Sequence, residues 1–313
     1  MTLFGQVLIG PPGSGKTTFV HGMHQMCTAL NRPNIIVNLD PANENVPYIP
    51  DVDVRDLINF ENVMNEHKLG PNGALVYCME YLQVNIDWLI DEIRAKRKNS
   101  SYILIDIPGQ VELYTHNYIL REILLVLAKD LDIRLTAVHL IDSTLLSSPT
   151  NYISALLVSL SAQMSIELPY LNVFSKIDLL EHFKDDLPFK LEYFSQLEDL
   201  NQLLTFWKHE SNMGDHPLFL KYKGFQSELV DLVEDSSIMQ FIPVDINDKD
   251  SVLQILQLID KSNGFSMLSE YSEYSALGIE TNINMLPNEE MYGTIYERYI
   301  EKYQENQNSK EEK

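Results

Sequence analysis

The nine residues GPPGSGKTT, Gly10 to Thr18, follow the apolar run QVLIG (6–10) and precede a helical pattern. They match G-x-x-x-x-G-K-[ST] in the strand–helix context that this motif requires. Its glycines let the backbone fold into a nest of N–H groups around a β-phosphate, and the helix N-terminus adds positive potential. In such a loop Gly13, Ser14, Gly15 and Thr18 belong to the nucleotide-binding turn. Lys16 bridges β- and γ-phosphates, and Thr17 offers its hydroxyl to Mg²⁺.

Outward from this loop, short apolar runs alternate with helical patterns. The strand candidates are 6–10, NIIVNLD (34–40), YILIDI (102–107), LTAVHLID (135–142), YLNVFSK (170–176) and FIPV (241–244). Most are apolar at nearly every position, as parallel strands covered on both faces require. The expected fold class is therefore α/β, a doubly wound and mostly parallel P-loop sheet. From about 181 to 237 acidic and aromatic helical stretches predict a helical insertion between the last two strands. Residues 1–262 are expected to form the P-loop domain with that insertion. Residues 263–313 read as an extension with one helix near 288–303 and a polar, disordered tail. Leu75, Met79, Leu82, Ile86, Leu89 and Ile93 recur at spacings of four and three, which predicts one helix over 74–97. Its stripe faces either the sheet of the same chain or another subunit.

The 313 residues carry 23 basic and 45 acidic side chains, a net charge of −22. That charge repels nucleic acid and anionic lipid and favours basic partners. No nucleic acid or membrane partner is expected. Cys27 and Cys78 form no ligand cluster and read as buried thiols in a reducing compartment. No signal peptide or apolar run of membrane-spanning length is evident, so the expected location is the cytoplasm.

Three further elements bear on chemistry. In ILIDIPGQ, Asp106 ends an apolar strand, where a carboxylate holds Mg²⁺ through water, and Gln110 follows at the position that orients an attacking water. In FSKIDLL, Ser175, Lys176 and Asp178 fit [NST]-K-x-D. The Asp178 carboxylate can accept from N1–H and the exocyclic amine of guanine together, which adenine cannot match, while the lysine stem lies over the base. In NLDPANE, Asp40 joins the Mg²⁺ shell through water or orients the nucleophile, and the alternative is a turn ahead of Pro41. Pro243 and Val244 are a weak match to a last base-contacting loop. Lys16 and Asp106 lie 90 residues apart with a strand and helices between them. Ras-like chains lack that room, and P-loop GTPases of the signal-recognition and MinD-like class have it.

One turn stays without a role in that scheme. KLGPNGAL (68–75) holds an asparagine on a triplet of glycine, fixed-φ proline and amide. Together, GPPGSGKTT, NLDPANE, LGPNGAL, DIPGQVELYTH and SKIDLL resemble the GPN-loop GTPases over residues 3–260, and the 69–89 stretch most resembles the second eukaryotic branch. The resemblance implies that Gly70, Pro71 and Asn72 form the GPN loop, which reaches into a partner's active site. It also implies catalytic roles for Asp40, Asp106, Gln110 and Asn72, with GTP as substrate and Mg²⁺ as cofactor. Its further implications are homodimers or heterodimers with paralogous GPN-loop GTPases, and contact with RNA polymerase II and III subunits during their assembly and nuclear import. The serine at 175 departs from the usual asparagine or threonine. Two other readings stay open: a nucleotide-gated scaffold with negligible hydrolysis, and a P-loop kinase or ATPase without guanine preference.

Overall fold

A computed structural model describes residues 2–97, 100–183, 187, 189–197, 200–203, 217–235 and 239–265. Seven strands form one sheet in the order β3-β2-β4-β1-β5-β6-β7. They are β1 Leu3–Ile9, β2 Asn34–Asn38, β3 Val52–Asp53, β4 Tyr102–Asp106, β5 Ile133–Asp142, β6 Tyr170–Ser175 and β7 Phe241–Pro243. The six expected strands are all present. The two-residue β3 carries too short a pattern to be read from sequence, and it exists because it pairs with Val37 and Asn38 of β2. β4 lies between β1 and β2, in parallel register with both, so that Asp106 is flanked by Leu8 and Asn38.

The chain divides into two compact units. One comprises 2–140, 161–171 and 245–265, and the other 141–160 and 172–244 among the described residues. In the first unit, β1 and β4 are buried at every position. Successive strand residues point to opposite faces. Val7, Ile9, Ile103 and Ile105 therefore join one core, together with Met79, Leu82, Leu89, Ile93, Ile123 and Leu127 from helices α3 (Pro71–Val84), α4 (Ile86–Lys96) and α6 (Ile119–Asp130). Helix α1 (Lys16–Ala29) packs on β4 and on the helix Lys249–Asn263, which in turn packs on β1. Helix α2 (Phe60–His67) pairs with α3 through Val63, Ala74 and Cys78, and α5 (Glu112–Thr115) leads into α6.

The single helix expected over 74–97 is two helices. Asn85 leaves helical geometry at φ −104° and ψ 32°. Both its backbone N–H and its side-chain Nδ2 donate to the Tyr81 carbonyl, a local bond that competes with helix continuation. The apolar stripe survives the break. Met79, Leu82, Leu89 and Ile93 are fully buried in the chain's own core, so the stripe faces the sheet. Both cysteines are buried, and neither is in a disulfide.

In the second unit a core of Ile141, Tyr152, Phe174, Phe194 and Phe241 forms around helix α7 (Pro149–Ile166), β6 and β7. Phe174 and Phe241 stack at 4.6 Å, and the Tyr152 hydroxyl donates to the Phe194 carbonyl at 2.6 Å. Helices α8 (Leu191–Gln196) and α9 (Pro217–Asp235) lie between β6 and β7, where the helical insertion is expected. The last described helix, Lys249–Asn263, is α10. The expected helix near 288–303 and the polar tail lie outside the described residues.

A buried ion pair fastens α10. Arg32 donates from Nη1 and Nη2 to the two Asp260 oxygens at 3.1 and 2.8 Å, with both side chains fully buried. The guanidinium lies 4.2 Å from the Phe265 ring centroid and 5.1 Å from that of Tyr102. Removing one partner of such a pair strands a buried charge, which costs about 3–5 kcal/mol, whereas an apolar replacement of both is close to neutral. Asp260→Ala is therefore expected to lower the unfolding free energy read from urea melts by that amount, with a correspondingly lower midpoint, and Arg32→Met with Asp260→Leu to recover most of it. Equal midpoints for Asp260→Ala and wild type would show that the pair does not hold the helix.

Candidate functional site

The first unit gathers the residues expected to bind phosphate at the carboxyl ends of β1, β2 and β4. Gly10, Gly13 and Gly15 take φ values of 148°, 78° and 91°, conformations that side chains resist. A Cβ on Gly10 would also lie 2.5 Å from the Leu140 carbonyl oxygen. Gly15 caps α1, and Lys16 is its first residue. Ser14 is buried, Thr17 half-buried and Thr18 exposed. The Lys16 ammonium donates to the carbonyls of Gly10 at 2.8 Å and Pro11 at 3.1 Å. Burial pushes the Lys16 pKa down, and the nearby charges of Asp106 and Asp40 work against that. Gly109 approaches closely, since a Cβ there would lie 2.8 Å from Lys16 Nζ and 3.0 Å from the Pro12 backbone.

Asp106 is almost fully buried at the end of β4. Its Oδ2 accepts a 2.7 Å hydrogen bond from the Tyr48 hydroxyl, while Oδ1 is buried without a hydrogen-bond partner. Burial pushes its carboxyl pKa up, against the stabilising Tyr48 and Thr17 hydroxyls and Lys16. Tyr48 itself is pushed far above its ordinary value by burial and by Asp106, so it is a neutral donor. Asp40 follows β2 with Oδ1 accepting from the Ala42 backbone N–H at 3.0 Å. Asp40 thus shapes a turn while its carboxylate stays within electrostatic reach of Lys16.

The segment from Asp40 to Asp51 is braced from below. Arg55 donates from Nε to both Asp53 oxygens at 2.9 Å and from Nη1 to the carbonyls of Asn43 at 2.9 Å and Glu44 at 3.3 Å. Asn38 donates from Nδ2 to Asp53 at 3.1 Å and to the Asp40 carbonyl at 3.3 Å. The Asn43 amide then donates to the Thr17 hydroxyl oxygen at 3.1 Å. Arg55 is a structural brace, with its donors committed to the loop and to Asp53.

Gly70, Pro71 and Asn72 form the entry to α3, with Gly70 as N-cap and Pro71 at the first helical position, where a missing N–H costs nothing. Gly70 sits at φ −71°, open to any residue, and the left-handed residue is Lys68 at φ 54°, which ends α2. Asn72 is exposed, and its Oδ1 accepts a 2.7 Å hydrogen bond from Gln110 Nε2 of the same chain.

The residues expected to contact the base lie in the second unit, at the end of β6 and just after it. Lys176 adopts φ 56° and donates from Nζ to Asp142 Oδ2 at 2.6 Å. The Ser143 hydroxyl donates to the Lys176 carbonyl at 2.9 Å, and the Ser175 hydroxyl to the Ile141 carbonyl at 3.1 Å. Asp178 is exposed, and Val244 is buried in the core. Sequence reading missed Asn43, Tyr48, Arg55 and Asp142. Asn43 lies in NLDPANE without a role there, the other three sit outside the motifs, and none carries a local pattern distinguishing a site residue from a loop residue.

The fold and the glycine-rich cradle define a P-loop nucleotide-binding protein. A family model described as "Conserved hypothetical ATP binding protein" matches residues 8–265. The chain is 47% identical over 280 residues to GPN-loop GTPase QQT1 of Arabidopsis thaliana, covering 88% of this chain and 91% of the relative. It is 42% identical over 302 residues to a GPN-loop GTPase 2 homolog of Dictyostelium discoideum, covering 96% and 92%. GPN-loop GTPase 2 of Danio rerio is 44% identical over 84% of this chain and 81% of its own length. The crystal structure of a GTPase in apo form from Pyrococcus abyssi has the same fold at a TM-score of 0.64 and 22% identity, over 83% of this chain and 97% of that one. The chain belongs to the GPN-loop GTPase family.

Burial pushes the Asp142 carboxyl up, but the Lys176 ammonium and the Thr144 donors outweigh it and hold it below its ordinary 3.8. A carboxylate with a depressed folded pKa contributes stability that is present above its unfolded value and lost as pH falls through the folded one. Wild type is therefore expected to exceed Asp142→Asn in unfolding midpoint at neutral pH, with the gap closing as the pH falls below about 3.8. Denaturant melts over that range check this, and a gap independent of pH would contradict it.

Proposed function

We propose that this chain binds GTP with Mg²⁺ and hydrolyses it to GDP and phosphate. The observation that carries the proposal is the convergence of Lys16, Thr17, Asp40 and Asp106 beside a loop of three left-handed glycines. The relatives' names support hydrolysis of GTP. The matching family model is described by ATP, and the Ser175-Lys176-x-Asp178 loop favours guanine over that reading. Asp178 is a carboxylate able to accept two N–H groups at once, which guanine presents and adenine does not.

The donor set fits Mg²⁺. A hydroxyl and two carboxylates are hard oxygen ligands, and Asp106 keeps one buried oxygen without a hydrogen-bond partner. Thr17 would hold the ion directly, and Asp106 and Asp40 through water. When bound, Mg²⁺ supplies charge neutralisation at the β- and γ-phosphate oxygens. The chain's own residues supply the rest. Lys16 exchanges its carbonyl partners Gly10 and Pro11 for phosphate oxygens, and the loop N–H groups hold the β-phosphate as its negative charge grows. The Gln110 side-chain carbonyl accepts from the attacking water. A bond forms from that water to the γ-phosphorus, and the bond to the β–γ bridging oxygen breaks. The proton of the attacking water ends on the released phosphate.

Asn72 is proposed to complete the site as the GPN-loop residue, its amide N–H₂ donating to the phosphate region of a partner in a dimer of this chain or with a paralogue. The bond from Gln110 to Asn72 within one chain favours a second reading, in which Asn72 orients Gln110 of its own chain. The resemblance supports a cytoplasmic, nucleus-shuttling role in assembling RNA polymerases II and III, with which the net charge of −22 is compatible. Among the described residues no helix is long and apolar enough to cross a membrane.

The test is single-turnover hydrolysis of GTP and ATP by wild type and Asn72→Ala across protein concentration. GTP turnover is expected to exceed ATP turnover by at least about tenfold, the ratio that 1.4 kcal/mol gives. Wild-type turnover per chain is expected to rise with concentration and the variant to bind GTP yet stay slow. A variant deficit present equally at every concentration would support action within one chain. Equal rates for GTP and ATP would overturn the guanine reading.

A further inference from the structure

The loop from Asp40 to Asp51 touches both groups that the proposed metal site relies on. Tyr48 donates to Asp106 Oδ2 at 2.7 Å, and Asn43 donates to the Thr17 hydroxyl oxygen at 3.1 Å. Tyr48 lies outside the nucleotide-binding motifs, and Asn43 lies in NLDPANE, where only Asp40 carries an expected role. Tyr48 stands between Pro47 and Pro50 in a stretch where its neighbour Ile49 is almost wholly exposed, yet Tyr48 itself is buried. Apolar packing alone would be served by phenylalanine. A buried hydroxyl is costly unless it is bonded, and here its partner is the Asp106 carboxylate. A phenol donating to a carboxylate is a charge-assisted bond, stronger than a neutral one. Donation to Oδ2 fixes the carboxylate plane, with the Thr17 hydroxyl also stabilising the charge and Oδ1 left without a hydrogen-bond partner. Arg55 fixes the start of the loop through the Asn43 and Glu44 carbonyls, so the two contacts share one braced segment.

We infer that Tyr48 and Asn43 are positioning residues for the metal ion, acting through Asp106 and Thr17 and making the loop from 40 to 51 the element that sets how strongly Mg²⁺ tightens nucleotide binding. The inference rests on the proposed reading of Thr17 and Asp106 as metal-holding groups. Ligand-holding side chains are commonly oriented by such outer partners, whose loss costs tenfold or more in metal affinity. The loop contributes little to phosphate binding itself, because Lys16 and the glycine-rich turn take their geometry from β1 and α1. Its effect therefore depends on the metal.

GDP affinity measured by calorimetry, once in excess Mg²⁺ and once in excess EDTA, separates these contributions without turnover. Wild type is expected to bind GDP more tightly with Mg²⁺. In Tyr48→Phe the ratio of the two affinities is expected to fall about tenfold, with affinity in EDTA unchanged, and Asn43→Ala is expected to lower the same ratio. Thermal melting without nucleotide checks that the variants fold. Hydrogen exchange over residues 41–51 gives a second readout in wild type: added protection with GDP and Mg²⁺ but not with GDP and EDTA. An unchanged ratio in both variants, with wild type still responding to Mg²⁺, overturns the inference and leaves the metal site standing. Equal loss with and without Mg²⁺ also overturns it, since that is what a purely structural role gives. A wild type indifferent to Mg²⁺ would remove the metal-site reading beneath it.

Discussion

The fold is organised around opposite charges held out of water at strand ends. Lys16 and Asp106 are both buried, and an unpaired ion in such a place is costly enough to be neutralised or expelled. The chain meets that constraint with hydrogen bonds. The Gly10 and Pro11 carbonyls take the ammonium, the Tyr48 hydroxyl takes one carboxylate oxygen, and a turn through Ala42 takes Asp40. The strand order β2-β4-β1 makes this meeting possible, because it sets Asp106 between Leu8 and Asn38 in register. A different order would leave the same residues far apart, with each charge in need of water.

Two local devices hold the loops around that cluster. Arg55, Asp53 and Asn38 form a polar truss under the segment from 40 to 51, so a stretch with little regular structure keeps its Asn43 and Tyr48 contacts. The α2–α3 hairpin, closed by Val63, Ala74 and Cys78, presents Asn72 in the first turn of α3. Pro71 suits that first turn because its φ is already helical and its missing N–H would be unpaired anyway. The stiffness of Gly70-Pro71-Asn72 is thus the stiffness of a helix start, and it holds Asn72 where Gln110 can reach it.

The second unit solves a smaller version of the same problem. Lys176 occupies a left-handed conformation that a long side chain enters only with support, and the Ser143 hydroxyl on its carbonyl and Asp142 on its ammonium provide it. Specificity for a base would then rest on Asp178, which the turn after Lys176 leaves exposed to a ligand.

The sequence alone determined the α/β class, because continuous apolar runs between helical patterns admit little except a covered parallel sheet, and it marked the loop from Gly10 to Thr18, because spaced glycines followed by Lys-Thr leave a local signature. It also marked Asp106, Gln110, Asn72 and the 175–178 loop by their motifs. The tertiary structure alone decided that the stripe from Leu75 to Ile93 is split at Asn85, that β3 exists at all, and that Gln110 meets Asn72. It alone brought Tyr48 to Asp106 and Asn43 to Thr17. Those contacts join residues 58 and 26 positions apart. No periodicity or turn propensity encodes such pairs, since they arise only when parallel strands fix the distance between loops.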